Sequence, residues 1–299
     1  MFAYHDVGYE CLDFLIQNDE YIIADITHED NPQEEIWFKS VADLANPYGI
    51  PVYTPESVNT PEWSERIRSW EPDLIFSFYY RNLIGDDILN IAPLGAFNMH
   101  GSLLPKYRGR VPINWAVLRG ERETGVTLHY MVKRADAGDI VDQEVVPIGP
   151  DETARDVFHK CVKAARQVLE RQIEALTKGT APRRKQDELH ATYFGGRKPE
   201  HGRIDWSQSA QSIYNLIRAV THPYPGAFTI VGGKKLFIWW ARPLNEPSRM
   251  AGRVVSTHPL KIGTGTGNLE ILALQWEGQV EEDAFAGTHG LQDGQLIGS

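Results

Sequence analysis

Asp73-Leu74-Ile75-Phe76-Ser77-Phe78-Tyr79 is an almost unbroken apolar run. Such a run suits a central parallel strand covered on both faces, because polar alternation is expected only where one face meets water. Strand and helix patterns alternate on either side of it. Tyr21 to Ile26 and Pro51-Val52-Tyr53 read as strands before it, and Leu94 to Asn98 as a strand after it. Ile36 to Ala45 and Pro61 to Trp70 read as helices. Thr60 is placed to cap the second, and Pro61 takes its first position, where a backbone N–H would go unused. The first strand has only Met1 to His5 available, so the chain is expected to begin a few residues late. This βαβα rhythm predicts an α/β fold with a Rossmann-like, doubly wound sheet.

Thr124 to Val132 and Ile140 to Ile148 extend the sheet. Thr153 to Lys178 is a long helix, with Val157, Cys161, Ala164, Ala165, Val168 and Ile173 at helical spacing and Gly179 ending it. Arg183 to Arg203 is polar and lacks strong periodicity. A further helix over Gln208 to Val220 precedes short strands at Phe228 to Val231, Lys235 to Trp240, Gly252 to Ser256 and Leu269 to Leu274. Their Gly- and Pro-rich turns predict a smaller C-terminal β-barrel of OB-like type. The domain reading is therefore 1–185 for the catalytic domain, 186–205 for a linker and 206–299 for the barrel.

Composition narrows the function. The 299 residues carry a net charge of -10, which weighs against a protein that gains affinity by neutralising phosphates. No apolar run reaches the ~20 residues needed to span a bilayer, and the N-terminus has no signal-peptide pattern. Cys11 and Cys161 sit among apolar neighbours and read as buried free thiols. No zinc site is implied, and the expected location is cytoplasmic. The first strand-to-helix turn, Asp6-Val7-Gly8-Tyr9-Glu10, has one glycine, so a dinucleotide fingerprint is absent there. The alternating Gly263, Gly265 and Gly267 lie between late strands and read as a flexible turn.

The chemistry concentrates in Phe97-Asn98-Met99-His100-Gly101-Ser102-Leu103-Leu104-Pro105-Lys106-Tyr107-Arg108-Gly109-Arg110. It follows a strand and leads into a helix at about Pro112, and open α/β sheets bind ligands at the carboxyl ends of their strands. Asn98 and His100 are two residues apart, so their side chains face the same way on an extended strand end. An amide donor and a titratable imidazole on one face can act together on one carbonyl. Acyl transfer to an amine needs a general acid/base and an oxyanion donor, and a carboxylate near the imidazole raises its pKa. Asp136 and Asp139, in Arg134-Ala135-Asp136-Ala137-Gly138-Asp139-Ile140, both qualify. Of Lys106, Arg108 and Arg110, two are expected to be solvated and one to meet an anion.

Asn98 to Pro105 with Tyr107-Arg108-Gly109 resembles the signature of the 10-formyltetrahydrofolate-dependent formyltransferases. Glu123-Thr124-Gly125-Val126-Thr127 and Ala135-Asp136-Ala137-Gly138-Asp139-Ile140 are similar to further motifs of that family. The likeness covers essentially the whole chain. Phe76 to Arg81, Val132 to Asp136 and Pro223 to Phe228 most resemble the members acting on UDP-4-amino-4-deoxy-L-arabinose in lipid A modification and polymyxin resistance. In those members an NAD-dependent decarboxylase domain follows, and this chain is expected to be either such a half or a stand-alone enzyme. The resemblance implies His100 as general acid/base, Asn98 as oxyanion stabiliser and Asp136, rather than Asp139, as the group raising the His pKa. It also implies a folate cradle at Asn82, Leu83, Ile84, Arg110, Val132, Lys133, Arg134, Ala135 and Asp136, with no metal. Methionyl-tRNA formyltransferases, which belong to the same family, resemble one another in a Gly/Arg/Lys-rich insertion. Here that place reads His28-Glu29-Asp30-Asn31-Pro32-Gln33-Glu34-Glu35, which is acidic and argues against tRNA. A hydrolase using water, and a silent folate- or nucleotide-binding module, are the remaining alternatives.

Overall fold

The structure is a computed structural model that describes residues 1–32, 35–247, 250–287 and 289–298. It divides into two compact units: residues 1–112, 123–147 and 158–195, and residues 113–122, 148–157 and 196–299.

The first unit is built on a seven-stranded sheet. Its elements are β1 (Phe2–Ala3), α1 (His5–Gln17), β2 (Asp25–Ile26), α2 (Val41–Ala45), β3 (Val52–Tyr53), α3 (Pro61–Ser69), β4 (Ile75–Phe78), α4 (Asp86–Leu89), β5 (Ala96–His100) and β6 (Arg108–Gly109). After α5 (Pro112–Arg119), which from Ile113 onward belongs to the second unit, come β7 (Glu123–Tyr130), β8 (Ile140–Pro147), α6 (Ala154–Thr177), whose first turn also belongs to the second unit, and β9 (Tyr193–Phe194). The strand order is β3-β2-β1-β4-β5-β7-β8. The first five strands are parallel, and β7 and β8 run antiparallel to their neighbours. All four residues of β4 are buried, as its apolar run requires. Phe2, Ile26, Ile67, Ile75, Ile88 and Ala96 form one core cluster, against which Trp63, Trp70 and Met131 pack.

Local chemistry explains the helix starts. Thr60 Oγ1 accepts the Trp63 N–H at 3.3 Å with Pro61 at the first position of α3. The helix expected from Ile36 begins only at Val41, because Ser40 caps it there by accepting the Asp43 N–H at 3.1 Å. The strand expected over Tyr21 to Ile26 is confined to Asp25–Ile26. Cys11 and Cys161 are free and buried. Residues 186–194 lie within this unit, and β9 pairs in parallel with β6 to form a separate two-stranded sheet.

The second unit carries α7 (Ala210–Val220), capped by Ser209, and an antiparallel sheet. Its strands are β10 (Ala227–Val231), β11 (Lys234–Leu244), β12 (Val254–Thr257), β13 (Leu260–Gly263), β14 (Asn268–Trp276) and β15 (Glu282–Asp283). They are ordered β10-β11-β14-β13-β12, with β15 paired to β14. Gly265 does not act as a slack spacer: a Cβ there would lie 1.8 Å from the Ser207 carbonyl oxygen, so close backbone approach demands glycine. No helix among the described residues is long and apolar enough to cross a membrane.

Candidate active site

The end of β5 places Asn98 and His100 on one face, and β7 runs antiparallel beside it. The register sets His129 directly across from Asn98 and Thr127 directly across from His100. Cross-strand partners in such a pair have neighbouring side chains. The sheet thus imposes a patch of four polar residues on an otherwise apolar surface.

Thr127 is fully buried and organises the loop after β5. Its hydroxyl donates to the Ser102 carbonyl at 2.6 Å and accepts the Leu104 N–H at 3.1 Å and the Gln143 amide at 2.9 Å. The loop then returns Tyr107 over His100. His100 Nε2–H donates to the Tyr107 carbonyl at 2.9 Å. A carbonyl can only accept, so the Nε2 proton is fixed and Nδ1 carries the lone pair. Nδ1 lies 3.5 Å from Asp136 Oδ1, close enough to stabilise a proton arriving there.

Asp136 reaches this position through a tight turn. Its φ is +56°, and two residues later a Cβ on Gly138 would meet the Tyr130 carbonyl oxygen at 1.8 Å. Asp tolerates the left-handed region better than most residues, and glycine fits the close approach. The Gly109 N–H donates to Asp136 Oδ2 at 2.9 Å. Burial opposes ionisation of Asp136, but His100 and that N–H help hold its carboxyl well below the usual carboxylate range. His100 is 6% exposed. Burial pushes its pKa below the ordinary histidine value, while Asp136 and the Tyr107 carbonyl pull it back up. The site therefore offers a neutral imidazole beside an ionised carboxylate at neutral pH.

His129 ties the third member to the other two. Its Nδ1–H donates to the Tyr130 carbonyl at 2.8 Å. In the neutral ring Nε2 then accepts the Asn98 amide N–H at 3.1 Å, and it stands 3.6 Å from Asp136 Oδ1. One Asn98 N–H is used in this way, leaving the other for a ligand.

Asn98, His100 and Asp136 thus lie together. Asp139 lies apart from them, with Oδ2 3.4 Å from Arg183 Nε. Lys106 and Arg110 are exposed, while Arg108 is completely buried. The segments around Leu83 and Val132 are neighbours: Lys133 Nζ is 3.9 Å from Asp86 Oδ2, and Ile84 and Met131 pack on the same core cluster. Asn59 holds the first of them, donating to the Leu83 carbonyl at 2.8 Å and accepting the Gly85 N–H at 2.7 Å. Asn82 is exposed and donates to the Glu56 carbonyl at 3.4 Å. Lys133, Arg134 and Ala135 are exposed, and Arg134 donates to Glu188 at 3.2 Å. Among the described residues no cluster of His, Cys, Asp or Glu is placed to hold a metal. Of the acidic stretch 28–35, Gln33 and Glu34 lie outside the described residues.

Sequence reasoning passed over Thr127, His129 and Gln186. The first two had a signal, polar residues at alternate positions of an apolar strand. Gln186 had none, since its neighbours in the chain are exposed and polar.

The chain matches the formyl transferase family model over residues 16–173 and the formyl transferase C-terminal domain model over residues 197–288. It belongs to the formyl transferase family and is an enzyme of that class. Its fold is similar to that of an N-formyltransferase from Helicobacter canadensis, solved with folinic acid and dTDP-3-aminofucose. That likeness has 22% identity, covers 90% of this chain and 97% of the other, and has a TM-score of 0.70. WlaRD, a sugar 3N-formyl transferase solved in the presence of dTDP and 5-N-formyl-THF, is similar at 22% identity over 93% of this chain and 97% of the other, with a TM-score of 0.69. HypX from Aquifex aeolicus, in complex with tetrahydrofolic acid, is similar at 17% identity over 98% of this chain and 47% of its own, with a TM-score of 0.65.

Proposed function

We propose that this enzyme transfers the formyl group of 10-formyltetrahydrofolate to the 4-amino group of UDP-4-amino-4-deoxy-L-arabinose, a step of lipid A modification that confers polymyxin resistance. The observation that carries the reading is the meeting of Asn98, His100 and Asp136 at the end of β5 in a formyl transferase. The solved folate and dTDP-aminosugar complexes of similar fold support the two ligand classes.

The reaction follows from the geometry. The sugar amine attacks the formyl carbon, and the carbonyl oxygen becomes an oxyanion that accepts the spare Asn98 N–H. His100 Nδ1 takes the proton that the attacking nitrogen sheds, and Asp136 stabilises the resulting imidazolium. The same proton passes to N10 of the folate as the carbon–N10 bond breaks, leaving a formamide and tetrahydrofolate. The folate would lie along Asn82, Leu83, Ile84, Arg110 and residues 132–136. Leu83 and Val132 are 75% and 43% exposed, so a flat ring system would cover apolar surface there.

The acceptor is tested by offering 10-formyltetrahydrofolate with UDP-, dTDP- or GDP-linked amino sugars, or with charged initiator tRNA. Formylation of the UDP-linked 4-amino sugar above the others is the expected result. Formylated tRNA with untouched sugars would overturn it.

A further inference from the structure

Arg108 is the largest fully buried side chain among the described residues, and a buried guanidinium must have its charge and donors met. Two groups do so. The Glu188 carboxylate takes two of its N–H groups at 2.7 and 3.1 Å, and Gln186 Oε1 takes two more at 2.7 and 3.1 Å. The Tyr193 hydroxyl accepts as well, and the ring of Tyr193 lies 5.3 Å from the guanidinium carbon. The other end of the Gln186 amide is committed to the active site. Nε2 donates to the Asp136 carbonyl at 2.8 Å and to the Gly138 carbonyl at 2.7 Å. Those carbonyls bracket the turn in which Asp136 stands at φ +56°. An uncharged side chain that accepts from a guanidinium and donates to two carbonyls at once is an amide, as Gln186 is.

We propose that Gln186 is a positioning residue that sets the Asp136 carboxylate against His100, with Arg108 and Glu188 anchoring its far end. The role rests on the catalytic reading of Asp136 above. The unfavourable turn persists only while surrounding contacts hold it. Gln186 supplies two of them and Gly109 a third. Without Gln186 the turn relaxes, Asp136 withdraws from Nδ1, and His100 loses the carboxylate that favours its protonated form.

The test uses Gln186→Leu, Asp136→Asn and the double variant in the full chain. His100 is titrated by NMR and turnover is measured beside it. Gln186→Leu is expected to lower the His100 pKa in the same direction as Asp136→Asn, and to reduce kcat roughly 10- to 100-fold. The KM for the sugar should stay near its original value. The double variant is expected to be no slower than Asp136→Asn alone, because both changes remove one interaction. Glu188→Gln, at the exposed end, is expected to shift His100 the same way by less, and it serves where Gln186→Leu does not fold. An unmoved His100 titration in both Gln186→Leu and Glu188→Gln, or losses that add fully in the double variant, would overturn the proposal. The titration needs no substrate. A shifted His100 in an enzyme that formylates no sugar would therefore sink the proposed function and leave the positioning role standing.

Discussion

His100 holds its proton on Nε2 against the Tyr107 carbonyl, which leaves the Nδ1 lone pair for the proposed role of base. Replacing it with alanine is expected to cut kcat about 100- to 10,000-fold with the fold intact, as measured by turnover and thermal melting. Asn98→Ala removes the proposed oxyanion donor and is expected to lose about 100- to 1000-fold in kcat. Asp136→Asn has a different signature. Asp136 raises the His100 pKa against the effect of burial, so removing its charge moves the acidic limb of the kcat/KM profile to lower pH while the maximal rate falls. A limb that stays in place would separate Asp136 from His100. Asp139→Ala should change turnover little, because Asp139 faces Arg183 rather than the imidazole. The shared face of Asn98 and His100 was legible in a short motif, since they are two residues apart on a strand. Asp136 could not be told from Asp139 by chemistry alone. The distinction depends on the backbone turn, which aims one carboxylate inward and the other outward.

At the scale of elements, the β5–β7 register decides what surrounds the base. A slip of one residue would turn His129 and Thr127 to the other face of the sheet. Strand periodicity could suggest that both are inward-facing, but pairing them with Asn98 and His100 required the register itself. Gly109 is a second fixed point: its φ is +101°, and a Cβ would come within 2.2 Å of the Phe194 carbonyl oxygen. Gly109→Ala is expected to destabilise by about 1–3 kcal/mol, read by thermal melting, and to lower activity by displacing the N–H that holds Asp136. Elsewhere in the sheet, β2 carries Asp25 with neither carboxylate oxygen hydrogen-bonded. Burial pushes its pKa up to about 7, against the pull of the Met1 ammonium. A carboxyl whose folded pKa is raised stabilises the fold at low pH, and that contribution is lost as pH rises through about 7. Asp25→Asn is therefore expected to raise Tm at pH 8 by the equivalent of up to about 4 kcal/mol, and to change it little at pH 4. No gain at pH 8 would contradict a buried, strained carboxylate. The strand around Asp25 is shorter than its sequence suggested, and the helix before β3 starts late at the Ser40 cap. In both places apolar pattern overstated length, and at the helix a side-chain cap set the start.

For the whole molecule, the alternating first half and the strand-rich second half were readable because each follows a hydrophobic period. The packing of residues 186–194 was not. Their contacts reach 78 to 85 residues back along the chain to Arg108, which no local pattern encodes. Net charge works at this scale too: at -10 the molecule as a whole disfavours a polyanion such as tRNA, which agrees with the small acceptor of the proposed function. In the proposed function the formyl carbon passes to an amine and not to water. The direct measurement supplies formyl-13C-labelled 10-formyltetrahydrofolate with UDP-4-amino-4-deoxy-L-arabinose and follows the label. One labelled formamide on the sugar for each tetrahydrofolate released is the expected result; label released as formate at the same rate with or without the sugar would contradict it.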